Sequence, residues 1–217
     1  MNAPRARVLA VGDELLSGAQ LDTNSAWLAG ELARAGIATL GFEVVRDDEA
    51  AIELAVRRAL GEVELLFVSG GLGPTLDDVT RHGVARAFGR ELALDEAALA
   101  DVRAWFARRD VVMSDTNRRQ ALFPRGATVL ANRHGTAPGF RLEHEGRAVV
   151  VLPGPPRELQ GLWADEVLPW LTARGLEHRF HDFKKLGVPP EALSHWLEQA
   201  GWEKLLNRQG TTWRKLD

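Results

Sequence analysis

The residues best suited to chemistry are a glycine-rich turn and the carboxylates that follow it. Residues 70–75 read Gly-Gly-Leu-Gly-Pro-Thr, directly after an apolar run at 65–68 and just before Asp77 and Asp78. Glycines allow backbone N–H groups to approach an anion, and the start of a following helix adds partial positive charge. The turn therefore predicts a phosphate or diphosphate ligand, and carboxylates beside such a ligand need a cation or a role in the chemistry.

This turn differs from the two familiar glycine-rich nucleotide loops. A dinucleotide fingerprint beginning at Gly71 would need glycine where Leu76 stands. A Walker loop would end in Gly-Lys-Ser/Thr, where this chain has Pro-Thr-Leu at 74–76. An ordinary strand-to-helix turn that is rich in glycine therefore remains an alternative.

The first 90 residues alternate between strand-like and helix-like patterns. This alternation predicts a mostly parallel sheet with helices on both faces, in which ligands bind beyond the carboxyl ends of the strands. Farther along, a glycine turn near 144–146 predicts a β-hairpin, followed by a helix from about 156 to 171. The predicted strands are 7–11, 37–45 and 64–68, and the predicted helices begin at Asp22 or Thr23, at Asp47 or Asp48, and at Asp77.

Composition excludes several classes of protein. The 217 residues are 45% hydrophobic and 26% charged, as in soluble globular proteins, and the absence of cysteine excludes disulfides and thiol chemistry. A net charge of −3 gives no basic footprint for nucleic acid. No apolar run approaches the ~20 residues that a membrane span needs, and no export signal follows the N-terminus. We therefore expect a cytoplasmic protein with no nucleic-acid or membrane partner.

Four ordered segments together resemble the N-terminal domain of the CinA (competence/damage-inducible) family. The resemblance covers about residues 6–170 and implies the MoaB/MogA-like fold, a three-layer α/β/α structure with a mostly parallel sheet. It also implies divalent-metal-dependent hydrolysis of ADP-ribose and a homo-oligomer, with a dimer favoured. The segments are 12–18 with 22–24, 69–80, 132–139 and 152–158.

The resemblance also implies roles for individual residues. Asp47 and Asp78 match the family's pocket aspartates, which makes them the expected catalytic residues and the ligands of Mg²⁺, Mn²⁺ or Co²⁺. Capping of a helix is the alternative for Asp47, as it is for Asp48, and is favoured for Asp77. Solvent-exposed polar groups without a ligand are the alternative reading for the polar members of the substrate-binding set. That set is Gly12, Glu14, Asn24, Gly70, Gly71, Gly73, Thr75, Asn132, Thr136, Pro153 and Gly154.

The tail from residue 172 onward differs in character from the preceding part. Residues 1–171 are the expected catalytic domain. Because of the segments 175–185, 201–207 and 210–217, residues 172–217 resemble an incomplete internal fragment of the arsenate-reductase-like family, mainly helical. Three functions are therefore open. The first is hydrolysis of ADP-ribose to AMP and ribose 5-phosphate, the second is a non-catalytic molybdopterin- or nucleotide-binding module, and the third is an inactive fusion.

Overall fold

A computed structural model describes residues 4–175 and, beyond them, positions 187, 193, 194, 197, 198, 201 and 202. The chain divides into two compact units, Met1–His178 and Arg179–Asp217. The first unit contains a six-stranded sheet of order β2-β1-β3-β8-β7-β6 and a two-stranded sheet, β4-β5. The strands are β1 Arg5–Val11, β2 Ala38–Val45, β3 Leu65–Ser69, β4 Leu92–Leu94, β5 Leu122–Pro124, β6 Thr128–Leu130, β7 Gly139–His144 and β8 Arg147–Leu152.

The first four strands in this order run parallel, and their carboxyl ends meet at one edge. Val11 lies opposite Val45, Ala10 opposite Ser69, and Ser69 opposite Leu152. β7 is antiparallel to β8 and joins it through the predicted hairpin. The mostly parallel sheet expected from the sequence is therefore confirmed.

Helices cover both faces of this sheet. On one face, α2, α6 and α7 share a hydrophobic core with the even-numbered residues Ala6 and Val8 of β1, and on the other, α3, α4 and α5 share a core with the odd-numbered residues Leu9 and Val11. The result is the predicted three-layer arrangement. The helices are α1 Asp13–Leu16, α2 Thr23–Arg34, α3 Glu49–Glu62, α4 Thr80–Ala87, α5 Glu96–Ala107, α6 Pro156–Leu162 and α7 Leu168–Ala173, with a 3₁₀ helix at Asp115–Ala121 and a π-helical turn at Trp163–Val167.

Carboxylates fix the starts of two helices that flank the cleft edge of the sheet. Asp22 accepts the N–H of Ser25 at the start of α2, and Asp48 accepts the N–H of Ala51 at the start of α3. These bonds satisfy backbone donors that have no partner inside the helix. Because Asp48 is the cap of α3, Asp47 is free for another role.

The third predicted helix begins later than expected. α4 starts at Thr80 behind Val79, which makes no side-chain cap, so the interpretation of Asp77 as a helix cap is wrong. The chain stays in a turn up to this point because the Asp78 carboxylate binds backbone N–H groups earlier in the loop. The glycine-rich segment is consequently a longer loop than the sequence pattern indicated.

Only a few residues of the second unit are described. Leu193, Ser194, Leu197 and Glu198 are helical, which agrees with a mainly helical tail, and both leucines are exposed. The rest of residues 176–217, including most of the predicted arsenate-reductase-like fragment, lies outside the described residues. The boundary placed after Leu171 stays a prediction.

Candidate functional site

A cleft of about 340 Å³ opens at the carboxyl ends of the parallel strands. The strand order reverses at β1, whose neighbours are β2 and β3, so the cleft lies where ligands bind in open α/β sheets. Segments that are distant in the sequence contribute its walls. They are 10–12, 14–15, 20–24, 47, 69–71, 77–78 and 154–156.

Two of the predicted glycines are required by the backbone at the cleft floor. Gly70 has φ +103° and Gly71 has φ +64°, a region that side chains disfavour. A Cβ on Gly70 would overlap the carbonyl oxygen of Val11, and one on Gly71 would overlap the hydroxyl of Thr80. The sequence therefore needs glycine here for the close approach of β1, β3 and α4, as well as for any ligand.

The Asp78 carboxylate binds backbone N–H groups of the glycine-rich turn that the sequence predicts to bind a phosphate. Its Oδ1 accepts the N–H of Gly73 at 2.7 Å, and its Oδ2 accepts the N–H of Thr75 at 2.9 Å and also the Thr75 hydroxyl. Gly73 and Thr75 do not line the cleft, whereas Asp78 does. The carboxylate thus holds the turn together with the donors that an anion would otherwise use.

Asp47 is placed differently, at the carboxyl end of β2. Its Oδ2 accepts the N–H of Asp13 at 2.9 Å. Burial raises the pKa of Asp47, the Asp13 N–H partly offsets that rise, and the charges of Asp13, Glu14 and Asp77 add to it. A carboxylate whose pKa is raised in a cleft is a recognised sign of a functional group.

The cleft is rich in acidic groups. Among the described residues, its lining holds five carboxylates and no lysine, arginine or histidine, and the N-terminus of α2 supplies partial positive charge at one side. Such a surface favours a ligand that offers N–H donors or carries its own cation. The five are Glu14, Asp22, Asp47, Asp77 and Asp78.

Asn24 connects three elements at the cleft wall. From the first turns of α2, its Nδ2 donates to the Ser69 hydroxyl at 2.8 Å and to the Gly154 carbonyl at 2.7 Å. Gly12, Glu14, Asn24, Gly70, Gly71 and Gly154 of the predicted binding set therefore converge with both predicted aspartates. Glu14 folds back over Gly12, where a Cβ would overlap its carboxylate.

The remaining predicted residues do not reach the cleft. Asn132 donates to the Ala137 carbonyl and to Glu158, and accepts the N–H of His134, so its side chain closes its own loop. Thr136 accepts a hydrogen bond from Gln120, and Pro153 is buried behind the cleft lining. Burial raises the pKa of Glu158, which the Asn132 amide partly offsets.

The sequence reasoning missed two residues that shape the site. Ser69 lines the cleft and could have been found as the last residue of a buried strand, at the end where ligands bind. Arg81 lies behind the loop and is almost completely buried. Its only sequence signal is a charge in a helix position that the neighbouring apolar residues mark as interior.

The acidic residues do not form a metal centre by themselves. Among the described residues, no three His, Cys, Asp or Glu side chains are arranged to hold an ion. Both oxygens of Asp78 already accept hydrogen bonds, whereas Asp47 uses only Oδ2 in the hydrogen bonds of the described residues. Mg²⁺ commonly keeps several waters and binds through one or two carboxylates plus ligand phosphates. Asp47 therefore fits a site in which one protein carboxylate and the phosphates of a bound ligand hold the cation together.

Comparison with known proteins identifies the family. The model of the probable molybdopterin binding domain matches residues 7–173. A competence-damage inducible protein relative from Desulforudis audaxviator is 40% identical over 200 residues, which is 91% of this chain and 48% of the relative. The chain thus spans about half the length of that curated relative.

Solved structures agree with this family and with the fold. A structure of CinA from Thermoplasma acidophilum, described as of unknown function, is 36% identical with TM-score 0.72, covering 78% of this chain and 99% of that one. MoaB of Thermus thermophilus, described as a molybdopterin biosynthesis enzyme, is 19% identical with TM-score 0.52, covering 80% of this chain and 94% of its own, and shows the fold alone. The MoaB/MogA-like architecture is therefore confirmed.

The comparisons do not support the arsenate-reductase-like interpretation of the tail. An alignment that covers 91% of this chain must extend well into residues 172–217. The partner in that alignment is a competence-damage inducible protein. Sequence similarity in the tail thus continues the family seen in the first unit, and an origin by fusion has no support.

Proposed function

This chain belongs to the molybdopterin-binding domain family that includes the CinA-like proteins, and we propose that its cleft binds a phosphorylated pterin or a nucleotide. The observation that carries the proposal is the composition of the cleft lining. Gly70, Gly71, Asn24 and Asp47 all line the cleft at the point where the strand order reverses. Binding without turnover is our main proposal, because the family match describes binding and the hydrogen bonds of Asp78 suit a structural role.

The polar groups suggest how such a ligand would be held. Pterins and nucleobases present ring N–H and amino donors, and a carboxylate such as Glu14 would accept hydrogen bonds from them. The exposed side chain of Leu21, in the same lining, offers apolar contact for a ring. The N-terminus of α2 favours the phosphate end of the ligand.

A divalent cation is proposed as a shared ligand. Asp47 would hold it together with phosphate oxygens of the bound molecule, in the manner usual for Mg²⁺, and Mn²⁺ or Co²⁺ would be alternatives. Bound there, the cation would screen the negative charge of the phosphates against the acidic wall. The backbone N–H of Asp13, which donates to Asp47 Oδ2, would fix the position of the Asp47 carboxylate relative to β1.

Hydrolysis of diphosphates of the ADP-ribose type is the second candidate, and the raised pKa of Asp47 favours it. A carboxylate whose pKa is raised toward neutrality is better able to take a proton from an attacking water. Attack at phosphorus would release AMP and ribose 5-phosphate. Asp47 would accept the proton, and Asn24 and Ser69 would help to orient the ligand.

One experiment separates the two candidates. Purified chain is titrated by calorimetry with AMP, ADP-ribose and a phosphorylated pterin, with and without Mg²⁺, Mn²⁺ or Co²⁺. The ADP-ribose mixtures are then analysed for AMP. Binding without new AMP supports the binding module, and metal-dependent AMP release supports the hydrolase. Failure of every ligand to bind would overturn both.

Assembly and location remain predictions. The homodimer that the resemblance implies is tested by sedimentation velocity with and without ligand. No described helix is long and apolar enough to cross a membrane. The expected cytoplasmic location and the expected lack of nucleic-acid partners are tested by fractionation and by co-purification.

A further inference from the structure

A charged side chain lies directly behind the glycine turn, outside the cleft lining. Arg81, in the first turn of α4, is only 2% exposed. Burial lowers its pKa to about 9, which leaves the guanidinium charged at neutral pH. Because an uncompensated buried charge is costly, the partners of Arg81 indicate what it does.

Arg81 joins two loops through their backbone. Its Nη2 donates to the Leu72 carbonyl at 2.9 Å and to the Gln120 carbonyl at 3.3 Å. Leu72 is the centre of the glycine turn, and Gln120 belongs to the 3₁₀ helix Asp115–Ala121. The guanidinium carbon also lies 5.8 Å from the centre of the Phe123 ring.

Asp78 supplies the favourable charge for Arg81. The Asp78 carboxylate opposes the lowering of the Arg81 pKa, and the same carboxylate holds the N–H groups of Gly73 and Thr75. The turn is therefore held by two side chains. Arg81 binds its carbonyl side directly, and Asp78 binds its N–H side.

We propose that Arg81 is a positioning residue of the cleft. It fixes the 70–75 turn through Leu72 and Asp78, so that the backbone at Gly70 and Gly71 keeps its geometry toward the ligand. The proposal rests on the proposed binding function only for its effect on affinity. Its structural part concerns the order of the turn and is independent of any ligand.

The first test measures amide hydrogen exchange in the full chain. In Arg81→Met the amides of Gly73 and Thr75 exchange about tenfold faster than in the wild type, because a buried hydrogen-bonded charge is lost, whereas the amides of Val68 and Val151 are unchanged. Arg81→Lys keeps the charge and restores most of the protection at Thr75. The matched control Arg118→Met removes an exposed arginine from the 3₁₀ helix and leaves the turn unchanged.

The second test asks whether Arg81 acts through Asp78. In a double-mutant cycle of Arg81→Gln and Asp78→Asn, each of which removes one of the two charges, the effects on exchange at Gly73 and Thr75 are non-additive if the two residues work as one unit. This cycle also decides the matter if Arg81→Met does not fold. Additive effects, unchanged protection, or equal acceleration in the turn and the central strands would overturn the proposal.

The third test links the turn to the ligand. AMP binds Arg81→Met about tenfold more weakly than the wild type, whereas Arg81→Lys and Arg118→Met bind it nearly normally. Equal AMP affinity of Arg81→Met and the wild type would overturn the positioning role. If the wild type binds neither AMP nor a phosphorylated pterin, the proposed function fails, and the exchange measurements still decide whether Arg81 orders the turn.

Discussion

Two loops that follow the carboxyl ends of strands differ in whether they reach the cleft. The 70–78 loop follows β3 and reaches the cleft, whereas the 131–138 loop follows β6 and closes on itself through Asn132. β6 runs in the same direction as β8 but lies two positions away from it, at the edge of the sheet. Two strand spacings amount to roughly 10 Å, so the loop is displaced sideways from the cleft.

The difference teaches that strand direction alone does not make a loop a ligand loop. Its lateral position across the sheet decides whether it meets the other loops. Asn24 and Asn132 are the same residue type at the same edge, yet Asn24 ties three cleft elements together and Asn132 ties one loop to α6. Substitutions at matched positions in the two regions should therefore separate binding from stability.

The largest effect is expected for Gly70→Ala. The new Cβ would overlap the Val11 carbonyl, and neither central strand can move away, so the free energy of unfolding should fall by about 3 kcal/mol. Gly154→Ala is the control, since its Cβ would lie 3.6 Å from the Gly70 Cα, an ordinary contact. Equal urea midpoints for the two variants would contradict the close approach of β1 and β3.

Asp47→Asn should reduce affinity for AMP by at least about tenfold in the presence of Mg²⁺, because a charged ligand group is removed. The thermal stability of the variant at pH 7, in contrast, should stay equal to that of the wild type or rise. Burial raises the folded-state pKa of Asp47 above 3.8, so its contribution is present at low pH and is lost as pH rises through the folded pKa. The variant should therefore melt at or above the wild-type temperature at pH 7, with no such advantage below pH 3.8.

Calorimetry and thermal melts at the two pH values test both halves of that prediction. A variant that binds AMP as the wild type does would remove Asp47 from the site. A variant that melts lower than the wild type at pH 7 would show that the Asp47 carboxylate stabilises the fold through Asp13.

Asn24→Ala should weaken AMP binding by about tenfold, since two hydrogen bonds that join α2 to the ends of β3 and β8 are lost. The loss should appear mainly as faster ligand release, because the cleft wall is loosened rather than removed. Stopped-flow measurement of the release rate tests this prediction. An unchanged release rate would mean that the wall holds without Asn24.

Asn132→Ala should have the smallest effect on binding, within about twofold, while unfolding becomes easier by about 1 kcal/mol. Its amide satisfies the half-buried Glu158, so the pKa of Glu158 should rise further in the variant. AMP titration and urea denaturation, run beside Asn24→Ala, provide the comparison. A binding loss as large as that of Asn24→Ala would mean that the 131–138 loop contributes to ligand binding.

Local sequence rules predicted most of the fold, for reasons that the structure makes clear. Asp22 caps α2 as expected, and the hairpin turn has Gly146 at φ +77°. Their signals depend on neighbours within a few residues. The late start of α4 was not predictable in this way, because Asp78 turns back to Gly73 instead of capping forward.

The site was predictable where it depends on one strand end and unpredictable where it depends on the sheet order. Gly70 and Gly71 follow the buried strand β3, Asp47 follows the edge strand β2, and all three line the cleft. Whether Asp47 or Asp48 caps α3 depends on one residue of register, which the sequence left open. The displacement of Asn132 depends on where β6 joins the sheet, and nothing close to residue 132 encodes that.

The central position of β8 has a consequence for folding. This strand is the last one in the described sheet to be reached along the sequence, yet it pairs with β3. One side of β3, residues 65–69, therefore stays unpaired until residues 148–152 are present. The Asn24 bond to Gly154 spans 130 residues. Contacts of such long range slow folding. During synthesis the cleft therefore cannot close until Gly154 has emerged, and capture of a ligand would report that the whole sheet has assembled.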